Sequence, residues 1–66
     1  MTRPQLAHII AEIALCAQVL RQLAAQENAA HHLAIEYRYE RGADHLESAR
    51  QHLSYILPHL PDPPGR

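Results

Sequence analysis

The stretch QLAHIIAEIALCAQVLRQLAAQENAAHHLAIEYRYER, residues 5–41, decides the fold of this chain. From residue 6 to residue 23 its larger apolar residues recur at steps of three and four, which is the spacing of one face of an α-helix. We call this row the apolar seam, and its members are Leu6, Ile9, Ile13, Cys16, Leu20 and Leu23. Heptad spacing of this kind is typical of helices that pack against other helices.

The residues around the apolar seam predict where its helix begins, but they leave its far end open. Thr2, Pro4 and Gln5 indicate a capped start, because Thr and Gln three residues apart form a capping box and Pro suits the first turn. Past Leu23 the spacing fails. Either one helix continues to Arg41, or it breaks and restarts with Asn28 as the cap. No Gly or Pro enforces a break there, and the alanines favour helix, so we predict a continuous helix.

The sequence then predicts a helix end at Arg41 and Gly42, since Gly commonly closes a helix C-terminus. Asp44 and Glu47 have the spacing of a second capping box. A second helix would run over residues 45–57 and stop at Pro58. We therefore predict one helical domain over residues 1–57 and a flexible, Pro-rich tail over residues 58–66.

These bounds give helices of unequal length. A helix over residues 3–41 is about 58 Å long, and one over residues 45–57 is about 20 Å long. The short helix would leave the apolar seam uncovered. We therefore predict an all-α fold, a helical hairpin with a long first helix and a short second one, assembled as a homodimer into a four-helix bundle. The apolar seam is the predicted interface. A real break at Asn28 would instead allow a three-helix monomer.

Composition narrows the class of partner. The chain has 66 residues and a formal charge of −1, and all six of its cationic residues are Arg. This balance gives no electrostatic reason to expect nucleic acid or an anionic membrane as partner. Glu12 and Arg21 interrupt the apolar residues, so neither a membrane span nor a signal peptide is predicted, and we expect a cytoplasmic protein. Cys16 is the only cysteine, which rules out a disulfide within the chain.

No motif indicates catalysis, and we predict no enzyme and no cofactor. Metal sites on helices prefer ligands three or four residues apart. The weak candidates are two-ligand fragments, formed by Glu27 with His31 and by His32 with Glu36. The leading hypothesis is an oligomeric helical interaction module, a small adaptor or accessory regulator that binds itself and another protein. The alternatives are a His-based metal or small-ligand binder at the bundle interface and, third, a nucleic-acid-associated regulator.

Overall fold

The computed structural model describes residues 1–61, and over that range the protein is a hairpin of two helices that pack against each other. Helix α1 spans Arg3–Ala29 and helix α2 spans Leu33–Ile56. A short 3-10 helix over Leu57–His59 follows α2. No strand occurs within the described range. The prediction of an all-α helical hairpin is confirmed.

The start of α1 is capped as the sequence predicts. The backbone N–H of Thr2 donates a hydrogen bond of 2.7 Å to Oε1 of Gln5. Pro4 lies in the first turn, where its missing N–H costs nothing because the first N–H groups of a helix have no partner inside the helix. The capping box and the Pro together fix the first residue of the helix.

The chain reverses at residues 30–32, so the predicted continuous helix is wrong. His31 adopts a left-handed conformation with φ of 62°. Its N–H donates to the carbonyl of Asn28 at 3.0 Å, and the N–H of His32 donates to the carbonyl of Glu27 at 2.8 Å. This pair of bonds is a Schellman motif, which satisfies the last carbonyls of α1. Asn28 is not the cap of a new helix, since it lies in the last turn of α1.

The predicted helix end at Gly42 is also wrong, because Gly42 lies in the middle of α2. A glycine inside a helix costs about 1 kcal/mol relative to alanine. Packing does not require glycine at this position, since a Cβ at Gly42 would lie 3.5 Å from Cδ1 of Leu20 on α1, which is an ordinary contact distance. Asp44 caps no helix, and Glu47 accepts a hydrogen bond from Arg50 instead of closing a capping box.

The two helices are nearly equal in length, which corrects the predicted short second helix. α1 has 27 residues and α2 has 24. At 1.5 Å per residue they are about 40 Å and about 36 Å long. The premise that the apolar seam lacks a partner in its own chain is therefore wrong. The enclosed core of the described residues is nevertheless small, and it consists of Leu6, Ala17, Ala24 and Ala43.

The segment after α2 returns to the start of α1. Nε of Arg3 donates to the carbonyl of Leu60 at 2.7 Å, and Nη2 donates to the carbonyl of Pro58 at 3.1 Å. The backbone N–H of Arg3 donates to the carbonyl of Pro61 at 3.3 Å. The first residues of the predicted Pro-rich tail thus contact α1. The rest of that predicted tail, residues 62–66, lies outside the described residues.

Candidate interaction surface

Helix α2 covers one edge of the apolar seam and leaves the other edge open. Leu6 is buried, with 3% of its surface exposed, whereas Ile9 is 37% exposed and Cys16 is exposed. The remaining seam residues are half-buried; they are Ile13, Leu20 and Leu23. The seam predicted as an interface between chains therefore contributes partly to the packing within one chain.

One side of the hairpin is polar. Arg21 of α1 reaches across to α2, where its guanidinium lies 3.0 Å from Oε1 of Glu40 and 3.3 Å from Oδ1 of Asp44. Farther along the same side, Nε of Arg50 donates to Oε1 of Glu47 at 2.8 Å. This hydrogen bond lowers the pKa of Glu47, burial opposes that effect, and the charges of Arg50 and Arg21 add to the lowering. Only the contacts of Arg21 join the two helices, because Glu47 and Arg50 both lie on α2.

The opposite side of the hairpin is apolar. The α1 row, residues 9, 16 and 23, lies about 120–160° around the helix from Arg21. The α2 row, residues 35, 42, 49 and 56, lies about 140–180° around its helix from Glu40. Leu20 faces Gly42 of α2, since a Cβ added at Gly42 would lie 3.5 Å from Cδ1 of Leu20. We call this surface the open apolar face; its members are Ile9, Ile13, Cys16, Leu20, Leu23, Ile35, Gly42, Leu46, Ala49, Leu53 and Ile56.

The sequence indicates part of the α2 half of the open apolar face, as an apolar stripe of the second helix over Leu46, Ala49, Leu53 and Ile56, but it does not indicate Ile35 or Gly42. The outermost residues of this half are Ile35, Gly42, Ala49 and Ile56, which repeat every seven residues. That spacing was a usable signal, but a predicted helix end at Gly42 divided the row. Ile35 is 47% exposed and Ile56 is 43% exposed. Other exposed apolar side chains lie outside this face; examples are Leu15, Leu33, Tyr37 and Tyr55.

The weak metal candidates gather at the turn but form no metal site. Nδ1 of His32 lies 2.7 Å from Oε2 of Glu27, while Glu36 accepts a hydrogen bond of 3.1 Å from the side-chain amide of Asn28. His31 is exposed. Among residues 1–61 no group of three or more His, Cys, Asp or Glu side chains is placed to hold a metal ion.

Helix α1 is long and apolar enough to cross a membrane when length and composition alone are considered. Its mean hydropathy is 1.4 over the most apolar window, and only 11% of that window is buried. This is weak evidence, because the core helix of a soluble protein and a signal sequence meet the same criterion. The sequence-based expectation that Glu12 and Arg21 rule out a span is therefore not supported by this measure.

No protein-family model, no curated protein and no solved structure matches the chain. The open apolar face runs along both helices, and its residues Ile9, Ile35 and Ile56 remain exposed in the hairpin.

Proposed function

We propose that the protein is a non-enzymatic helical interaction module that works in the cytoplasm, where it associates with a second copy of itself through the open apolar face. Two hairpins would then form a four-helix bundle. The observation that carries this proposal is the open apolar face, which runs along both helices on the side opposite Arg21 and Glu40.

The small core of the hairpin supports a need for a partner. Three of its four buried side chains are alanines, and burial of an alanine releases little apolar surface. A chain of this length has a marginal core even when it is compact. Burying a large apolar side chain stabilises by about 1.5–3 kcal/mol. Ile9, Ile35 and Ile56 keep roughly two fifths of their surface, so association would add about 1 kcal/mol for each of them.

The size of the face fits a dimer. Two helices side by side are about 20 Å wide, and α1 is about 40 Å long. The resulting side has an area of roughly 800 Å², which is the area that each partner contributes to a standard protein–protein interface. A second hairpin offers a face of the same dimensions.

The charged side chains of helix α2 make insertion of the hairpin into a bilayer unfavourable. This helix carries seven Asp, Glu and Arg side chains, and it runs beside α1 for most of its length. Arg21 of α1 is itself bound to Glu40 and Asp44. Moving α1 into a membrane would either bring these charges into hydrocarbon or separate the two helices, and both changes are costly.

The test is the mass of the protein in solution, measured by sedimentation equilibrium over a range of concentrations. The wild-type chain of 7.5 kDa should give twice that mass. Ile9→Asp places a charge on the open apolar face and should shift the mass toward the monomer, with or without loss of helicity. Leu15→Asp is the matched control, because Leu15 is exposed on α1 but lies off the face.

Two results would contradict the proposal. One is a wild-type protein that remains a folded monomer at its highest soluble concentration. The other is an equal loss of association in the Ile9 and Leu15 variants, which would mean that the face has no special part in it. Flotation of the wild-type protein with phospholipid vesicles, accompanied by loss of the dimer, would point to a membrane partner instead.

A further inference from the structure

The sizes of the residues in the α1 row of the open apolar face are symmetric about the centre of the row. Ile9, Cys16 and Leu23 give the order large, small, large at intervals of seven residues. Cys16 is also the middle residue of α1, which runs from Arg3 to Ala29. The pattern and the helix therefore share one centre.

The α2 row has the same property. Ile35, Gly42, Ala49 and Ile56 give the order large, small, small, large, again at intervals of seven. The centre of this row falls between His45 and Leu46. Both large residues at its ends remain more than two fifths exposed, so their outer surfaces are uncovered.

The two centres lie at the same level of the hairpin. Contacts across the helices join residues whose numbers add up to about 62, such as Leu20 with Gly42 and Arg21 with Glu40. On this register Cys16 stands beside Leu46. The centres of the two rows thus differ by about half a residue, or less than about 1 Å along the helices.

A two-fold symmetric interface must be complementary to itself, because the same surface is used on both subunits. We infer that two hairpins pair about a two-fold axis that is perpendicular to the helices and passes at the level of Cys16. Each α1 then packs antiparallel on α1 of the second copy, and each α2 on its equivalent. This inference rests on the proposed function and specifies its geometry.

The chemistry of the rows fits this axis. Ile9 meets Leu23 of the second copy, and Ile35 meets Ile56 of the second copy, so large side chains cover one another at both ends. Cys16, Gly42 and Ala49 are small and lie near the axis, where they allow a close approach. Helix axes pack 8–10 Å apart, and each Cα lies about 2.3 Å from its own axis. Facing Cα atoms of the two Cys16 residues would then be about 3.4–5.4 Å apart, a range that overlaps the span of about 4.4–6.8 Å that a disulfide bridges.

A two-fold axis parallel to the helices would bury the same face but would pair the helices of the two copies differently. If the axis ran along the helices, α1 would lie on α2 of the second copy, and equivalent residues of the two α1 helices would be equally far apart at every level. With a perpendicular axis, their separation along the helix grows by about 3 Å for each residue away from Cys16. Nothing in an axis along the helices would require each row to be symmetric about its own centre.

The experiment measures distances between spin labels on the outer side of α1, off the open apolar face. Single cysteines are introduced by His8→Cys, Leu15→Cys and Gln22→Cys in a Cys16→Ala background, and each labelled protein is first shown to have the dimer mass. The separation along the helix should be about 3 Å at residue 15, about 18 Å at residue 22 and about 24 Å at residue 8. The measured distances should therefore increase in that order.

The natural cysteine gives an independent readout. Diamide, which takes up the two electrons and two protons of a thiol pair, should convert the wild-type dimer to a disulfide-linked dimer at Cys16. The Leu15→Cys, Cys16→Ala variant is the control and should link far more slowly, since residue 15 lies on the outer side of the helix.

Failure of the geometry and failure of the function are distinguishable. A dimer with equal label distances at residues 8, 15 and 22, or a dimer in which Cys16 resists oxidation while the control links, overturns the perpendicular axis and leaves the interaction module standing. A protein that is monomeric at every concentration overturns both.

Discussion

Replacement of His31 by glycine should stabilise the protein. His31 has a φ of 62°, and a left-handed conformation costs a residue with a Cβ about 1–2 kcal/mol. Glycine removes that cost but loses about 0.5–1 kcal/mol more conformational freedom on folding. His31 is exposed, so little packing is lost. The expected net gain is about 0.5–1 kcal/mol, or a rise in melting temperature of about 2–8 °C for a chain of this size.

The assay is urea denaturation followed by circular dichroism at one fixed protein concentration, which keeps any contribution of association constant. His32→Gly is the matched control. His32 has a φ of −94° and is the N-cap of α2, a position that tolerates glycine; glycine there relieves no strain and loses the contact with Glu27, so it should lower the free energy of unfolding by about a few tenths of a kcal/mol. In a helix that continued through residue 31, His31→Gly would also destabilise, by a few tenths of a kcal/mol. Equal losses in the two variants would therefore refute the left-handed turn.

Three further changes test other parts of the hairpin. Gly42→Ala should raise the free energy of unfolding by about 1 kcal/mol in urea denaturation, because it improves helix propensity and its Cβ would meet Leu20 at an ordinary contact distance; destabilisation would mean that the site is more crowded. Arg3→Ala should lower it by about 1 kcal/mol, since the guanidinium binds two carbonyls of the segment after α2, and an unchanged value would show that this contact contributes nothing. The lowered pKa of Glu47, caused mainly by its bond from Arg50, stabilises the fold above the ordinary value of 4.5 and ceases to do so as the pH falls through the lowered pKa. Glu47→Gln should therefore be less stable than wild type at neutral pH, and the difference should disappear in acid; a difference that is constant with pH would exclude this ion pair as its cause.

The sequence predicts the helices of this protein better than it predicts where they end. The apolar seam and the capping box at Thr2 identify α1 and its start, because helical periodicity and capping are local properties. The turn was assigned to Gly42 rather than to residues 30–32, because Gly is the usual left-handed residue and His31 is not. A turn at residues 30–32 gives two helices of nearly equal length, and α2 can then cover α1. That is a tertiary effect, and no single window of sequence contains it.

The surface could be predicted only in part for the same reason. Ile9, Cys16 and Leu23 were placed on an interface from their heptad spacing alone. Their counterparts on α2 have the same spacing, but they appeared to lie in two different helices. Which edge of the apolar seam stays open depends on the side from which α2 approaches, and that side is marked by the bonds from Arg21 to Glu40 and Asp44. Those partners are 19 and 23 residues apart, and their pairing follows from the position of the turn.

The single turn also sets the order in which this fold can assemble. The contact of Asn28 with Glu36 closes a loop of 8 residues, whereas that of Arg3 with Leu60 spans 57. Closing the longer loop directly would cost about 1.7 kcal/mol more in chain entropy. The two helices should therefore pair first beside the turn and then progressively toward their ends. Each step of this route forms contacts between residues that are already close along the chain, which favours rapid folding. The same gradient makes the end bearing Arg3 the first part to fray, so the backbone amides should exchange with solvent fastest there and slowest toward the middle of the hairpin.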